Sequence, residues 1–333
     1  MTEPPLNAAP VDIFASVPRV GNRFRNLVDH SPHGPLSALR WFVTRRPPPW
    51  PRDVAAEVGP KPVERVTGNA IRVTLVGHAT VLLQVAGLNL LTDPIWSQRA
   101  SPVSWAGPRR VRPPAIAFED LPPIDAVLLS HSHYDHLDRA TLAALHRRDR
   151  PLILTGLDVG AVVPAKPVVE LDWWQVHNMG HGIGGDVTVT YVPAQHFSAR
   201  GLFDRNKRLW GGFVLETPAG AIYFAGDTGA GPHIAAIRQR FGPMTLSLLP
   251  IGAYLPRWFM EPVHMNPEEA VAAAETLQSQ VTLPIHFGTF RMADDGFDEP
   301  LRVLEATLNE RHATRRPLDF RVPAFGEAVE IRG

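Results

Sequence analysis

The sequence predicts a mixed α/β (α+β) fold in which two sheets pack on each other and helices cover the outside. Short β-rich runs come in clusters, and helical patterns follow each cluster instead of alternating with single strands, which argues against a regular βαβ array. The supply of core residues agrees, since 44% of the 333 residues are hydrophobic and only 20% are charged.

Residues 1–68 read as a Pro- and Arg-rich arm with weak periodicity, and residues 69–333 as the folded domain. Within the arm, Arg46-Pro47-Pro48-Pro49-Trp50-Pro51 is extended in character. The segment Arg40-Trp41-Phe42-Val43-Thr44-Arg45-Arg46 mixes aromatics with cations. That mixture suits an interfacial anchor or an aromatic cluster docking the arm on the core.

The clear strand pattern starts at 71–76 and continues at 81–85 and 88–91, the last two joined by a turn at Gly87. These predict an antiparallel sheet closed by Leu91-Thr92-Asp93-Pro94. Asp93 at that strand end is a turn residue or a group that orients a metal-bound imidazole from behind. The loop 97–123 is long enough to be a lid or binding loop. It carries Arg109, Arg110 and Arg112, which either solvate the loop or meet a phosphate.

Further runs at 126–129, 152–154, 187–192, 213–215, 222–224, 246–249 and 281–285 read as strands. Helices are expected from Arg139, over 232–241, over 267–278 and over 300–309. Asn266, Pro267 and Glu269 give the third helix an N-cap, a first-turn proline and a capping-box partner.

Lys plus Arg and Asp plus Glu are both 33, so the formal charge is zero and gives no global attraction to nucleic acid. The absence of cysteine removes disulfides, thiolate zinc sites and cysteine nucleophiles together. Any metal therefore rests on His, Asp or Glu. The N-terminus lacks the basic and apolar regions of a signal peptide, and no apolar run approaches the roughly 18 residues of a membrane span, so the cytoplasm is the expected compartment.

The chemistry concentrates in His131-Ser132-His133-Tyr134-Asp135-His136, between the apolar run 126–129 and a helix start. His131 and His133, two apart at a strand end, project to one side, while the turn brings Asp135 and His136 from another direction. One such loop can feed two adjacent metals but supplies too few ligands to complete both. His196, Asp227 and His286 each close a later apolar run and are the candidates to complete them. Taken singly, each also fits a buried histidine or a turn residue.

The ordered set H-x-H-x-D-H, His, Asp within Gly226-Asp227-Thr228, and His resembles the metallo-β-lactamase fold, a four-layer αββα sandwich. Val76-Gly77-His78-Ala79-Thr80, Leu171-Asp172-Trp173-Trp174 and Pro256-Arg257-Trp258-Phe259-Met260 narrow the resemblance to the N-acylphosphatidylethanolamine-hydrolysing phospholipase D group. That resemblance covers about residues 70–330. It implies two Zn2+ per chain, or other divalent transition metals. One is held by His131, His133 and His196, the other by Asp135, His136 and His286, with Asp227 bridging.

The activity it implies is phosphodiester hydrolysis of an N-acylphosphatidylethanolamine-like phospholipid by a zinc-bridging hydroxide, yielding N-acylethanolamine and phosphatidic acid. Asp135, Asp227 and His264 are the catalytic candidates. His264 is a phosphate contact, a proton donor to the leaving oxygen, or a surface histidine. Tyr134, Trp173, Trp174, Trp258, Phe259 and His264 are candidate substrate contacts, although such aromatics also serve as core. His78 is either functional or a buried histidine bonded behind the site.

A phospholipid substrate, peripheral membrane contact and a homodimer are the partners the resemblance implies. Arg139 and Val263 depart from the group's Tyr and polar residue, and the N-terminal extension is shorter. Competing expectations are a cytoplasmic lactonase of the same fold and a non-catalytic membrane-surface or regulatory binding module.

Overall fold

The computed structural model describes residues 13–28, 35–55, 59–182, 185–312 and 318–332. Two mixed sheets form its centre. The first has seven strands in the spatial order Ala328–Arg332, Ala70–Gly77, Thr80–Val85, Leu88–Thr92, Ala126–Leu129, Leu152–Gly156 and Val168–Leu171. The second has six, in the order Val281–Ile285, Leu246–Pro250, Gly220–Phe224, Gly212–Thr217, Gly185–Val192 and Val176–Gly182.

Side-chain alternation along the first sheet sorts its residues into two cores. Ile71, Val73, Leu75, Val81, Leu83, Leu90, Ala126 and Leu128 face the second sheet. Leu82, Leu91, Val127 and Leu129 point the other way, onto Leu142 and Leu145 of the helix Arg139–Arg148. On the far side of the second sheet lie the helices His233–Phe241 and Pro267–Leu277, with Glu299–His312 packed on the latter. This is the four-layer arrangement expected.

The antiparallel meander does not close at Leu91-Thr92-Asp93-Pro94. Leu88–Thr92 pairs in parallel with Ala126–Leu129, and the parallel run continues to Val168–Leu171. The expectation failed because a strand end before proline also fits a crossover, and the partner strand lies more than thirty residues on. The edge strands Val168–Leu171, Val176–Gly182 and Ala328–Arg332 were not foreseen.

Strand direction decides where the site forms. Ala70–Gly77, Leu88–Thr92 and Ala126–Leu129 run the same way, as do Gly185–Val192, Gly220–Phe224 and Val281–Ile285. His78, Asp93, His131, His196, Asp227 and His286 follow the carboxyl ends of these strands. A crevice outside those ends is where such sheets place ligands.

The arm holds the hairpin Arg19–Val20 with Arg23–Phe24 and the helix Pro35–Thr44, neither expected. Val17 and Phe24 are buried in the main hydrophobic core. Trp41 stacks on Phe259 at 5.0 Å and donates to Asp294, and Trp50 donates to the carbonyl of Asp295.

Candidate metal centre

Seven side chains singled out in the sequence converge at the carboxyl ends of the two sheets, and they do so in two groups. In the first, His131 Nε2 lies 2.8 Å from His133 Nδ1, which lies 3.2 Å from His196 Nε2. Asp227 Oδ2 stands 3.9 Å from His131 Nε2 and 3.7 Å from His196 Nε2. In the second, Asp135 Oδ2 is 3.3 Å from His136 Nε2 and 3.2 Å from His286 Nε2. The same Asp227 Oδ2 is 3.0 Å from His136 Nε2 and 3.3 Å from His286 Nε2. One carboxylate oxygen thus faces both groups.

The donor set and its spacing fit divalent metal. Ligand atoms around one tetrahedral zinc stand roughly 3.3 Å apart, as follows from its bond lengths to imidazole. His136 Nε2 is buried and makes no hydrogen bond although two carboxylate oxygens lie close by, and Asp227 Oδ1 is likewise buried without a partner. Buried polar atoms in this state are suited to a metal ion as their partner.

The outward-facing imidazole nitrogens are fixed from behind. His136 Nδ1 is 2.6 Å from Asp93 Oδ2, His131 Nδ1 is 2.9 Å from Ser130 Oγ, and His196 Nδ1 donates to the carbonyl of Val263 at 2.9 Å. Ser130 donates to the same Asp93 oxygen at 2.6 Å. Asp93 therefore reaches one histidine of each group, directly or through Ser130, and holds those rings from behind. Its backbone φ of +32° places it at a sharp turn as well.

Electrostatics separate the groups. Burial pulls His131 and His196 well below the ordinary histidine range and His133 to about 4, so these imidazoles are neutral and ready to donate lone pairs. Burial also opposes charge on His136, but Asp227, Asp135 and Asp93 outweigh it and hold its pKa well above the usual value. His286 is raised against burial by Asp227 and Asp135. Asp135 and Asp227, despite burial, stay ionised because His136 and its neighbours hold their pKa values well below the carboxylate range.

His78 joins the second group. Its Nε2 is 2.9 Å from Asp135 Oδ2, and its ring lies 4.1 Å from that of His286. It occupies the left-handed region, φ +57°, with its N–H bonded to Thr289 Oγ1.

A cavity of about 900 Å³ opens over the cluster. His133, Asp135, Asp227, His264 and His286 form its floor, and Trp41, Phe259, Met260 and Met292 an apolar wall. His264 is buried there, its ring 5.1 Å from that of His196, so it is no surface histidine. Its backbone is anchored by Arg257, which donates to the His264 carbonyl at 3.0 Å and forks onto Glu269 at 2.8 and 2.9 Å. Glu269 closes the capping box with Asn266.

Of the aromatic candidates, Tyr134 and Phe259 line the cavity, while Trp258 is partly exposed beside it with Arg40 over its ring. Trp173 and Trp174 do not line it. They are core residues, donating to the carbonyls of Trp210 and Ile13. Their doublet looked like a groove because a Trp pair has the same signature in either role; burial decides it. Arg109, Arg110 and Arg112 are also absent from the cavity wall. Arg109 pairs with Asp53, Arg110 is buried on the carbonyls of Ser97 and Ile95, and Arg112 lies over Phe325.

Sequence reasoning missed the arm's share. Val20, Arg23, Phe24, Arg25 and Asn26 line the cavity, and Asn26 Nδ2 donates to the carbonyl of His196. No local periodicity marks a segment held only by such distant contacts.

A β-lactamase superfamily domain model matches residues 88–287. An uncharacterized protein of Mycobacterium tuberculosis is 40% identical over 279 residues, 81% of this chain and 72% of that protein. The N-acyl-phosphatidylethanolamine-hydrolyzing phospholipase D 1 of Caenorhabditis elegans is 38% identical over 250 residues, 72% of this chain and 70% of that protein. Among solved structures, an isothiocyanate hydrolase from Delia radicum gut bacteria superposes with a TM-score of 0.60 at 23% identity, covering 79% of this chain and all of that one.

Proposed function

The chain belongs to the β-lactamase superfamily, among the N-acyl-phosphatidylethanolamine-hydrolysing phospholipase D proteins, and is a metal-dependent hydrolase; from this premise we propose that its substrate is an N-acylphosphatidylethanolamine-like phospholipid. The products of that reaction are an N-acylethanolamine and phosphatidic acid. The observation that carries the reading is the single oxygen of Asp227 facing both ligand groups at the floor of a cavity with an apolar wall.

His131, His133 and His196 would hold one ion, Asp135, His136 and His286 the other, and Asp227 both. Imidazole nitrogen and carboxylate oxygen suit zinc, and other divalent transition metals accept the same donors. Such ions supply an ionised water near neutral pH and charge stabilisation for phosphoryl oxygens.

The chain's own residues do the rest. Asp93 and Ser130 fix the imidazole orientations, so the ligands need no reorganisation. His264, whose pKa burial lowers to about 4, is neutral at neutral pH and presents an N–H to a phosphoryl oxygen instead of a proton to the leaving group. Phe259, Met260, Met292 and Trp41 exclude water and take up acyl chain. Water adds to phosphorus, the bond to the N-acylethanolamine oxygen breaks, and that oxygen leaves with a proton.

The test is incubation of the zinc-loaded protein with N-acylphosphatidylethanolamine vesicles, with products identified by mass spectrometry. N-acylethanolamine together with phosphatidic acid is the expected result. Intact lipid alongside cleavage of a soluble phosphodiester moves the assignment to another substrate.

A further inference from the structure

The loop that supplies Arg205 and Asn206 to the cavity lining holds its two large apolar side chains out in solvent. Leu202 is 93% exposed and Phe203 is 81% exposed, side by side at the tip of the loop 199–208. Adjacent large apolar residues held this far into solvent are rare on monomers and mark interaction sites.

The loop is held firmly. Asp204 Oδ1 accepts from the N–H groups of Arg200 and Gly201 at 3.0 and 2.7 Å, and its other oxygen pairs with Arg208. Arg200 Nη1 donates to the carbonyls of Ser132 and Leu137 at 2.8 and 2.9 Å, and Tyr134 donates to the Arg200 carbonyl at 2.7 Å. The tip is thus braced on the metal-binding loop itself, and its exposure is a built feature.

Cations accompany the tip. The Arg205 guanidinium lies 4.0 Å over the ring of Phe197, which stands 4.6 Å from His133. Arg23 of the arm donates to the Arg205 carbonyl, and both arginines line the cavity. Among the described residues, the only carboxylates in that lining are Asp135 and Asp227, both committed to the cluster, and Asp204 is engaged by Arg208. Ala100 and Pro108 also contribute to the lining, and the loop they bracket exposes Trp105 to 79%.

We propose that Leu202, Phe203 and Trp105, with Arg23 and Arg205, form a docking rim that seats the cavity mouth on an anionic lipid surface. Apolar tips among cations are the composition that enters the headgroup boundary of such a surface. A second copy of the chain fits less well, because a two-fold contact through this rim would set the arginines of one copy against those of the other. The proposal rests on the phospholipid reading, since it explains how a bilayer substrate reaches the floor of the cavity.

The test compares co-sedimentation of the full chain with vesicles of phosphatidylcholine alone and of phosphatidylcholine mixed with phosphatidylglycerol. Binding is expected to favour the mixed vesicles and to weaken at high salt. L202S/F203S is expected to lose at least about tenfold of that binding. Its melting temperature and its turnover of soluble bis(p-nitrophenyl) phosphate stay unchanged.

Equal binding by the double variant, or no preference for anionic vesicles, overturns the proposal. So does a dimer that the double variant converts to monomer in light scattering while vesicle binding persists, which assigns the face to a second copy. Turnover of the soluble diester without vesicle binding removes the rim but leaves the hydrolase. Vesicle binding without cleavage of N-acylphosphatidylethanolamine in the same vesicles keeps the rim and removes the substrate reading.

Discussion

The two ligand groups share an oxygen of Asp227 yet differ in what their imidazoles hold before metal arrives. In the first, His131, His133 and His196 are driven neutral by burial. In the second, Asp135, Asp227 and Asp93 surround His136 and keep a proton on it against burial. Nearly equal burial therefore yields opposite protonation at His131 and His136, because three carboxylates lie within 3.3 Å of His136 whereas Asp227 alone faces His131, at 3.9 Å. The second group offers a cation more attraction but must first release a proton.

The sharpest break is at the shared atom. Asp227→Asn should lower turnover by at least about a thousandfold, comparable to losing a central charge-stabilising group. It should also weaken both ions in metal analysis; full activity with full loading would remove the bridging role.

Next come the supports behind the ligands. Asp93→Asn should weaken the second ion by about 10–100-fold, the usual effect of removing a partner behind a ligand. Ser130→Ala, which removes a neutral hydrogen bond to His131, should cost the first ion only about fivefold. Competition with a chromogenic chelator measures both, and equal losses would show that the charge on Asp93 is immaterial.

The remaining contrast between the groups is a proton count. With His136 raised, loading the second site near neutral pH displaces at least about one proton, so its affinity should fall about tenfold for each unit the pH drops. The first site, already deprotonated, should keep its affinity until the pH nears about 4, where His133 titrates. Calorimetry in buffers of different ionisation enthalpy separates the two.

Much of this centre was legible in the chain itself. An imidazole or carboxylate closing an apolar run lies at a strand end, and strand ends are where sheets of this kind expose side chains. The capping box at Asn266 and Glu269 was equally local and equally readable. Trp173 and Trp174 misled because a tryptophan doublet carries no label for core or groove. The arm misled in the opposite way: its proline and arginine content hid a hairpin and a helix that border the cavity.

The sequence by itself determined the central strands, the order of the candidate metal-binding residues and the alternation that separates the two cores, because each depends on spacing between near neighbours. Only the tertiary structure decided that one oxygen of Asp227 serves both groups, that Asp93 stands behind His136, and that Arg23 meets Arg205. Those contacts join residues from about 40 to more than 180 positions apart, and their geometry is set by how two sheets pack, which no local pattern encodes.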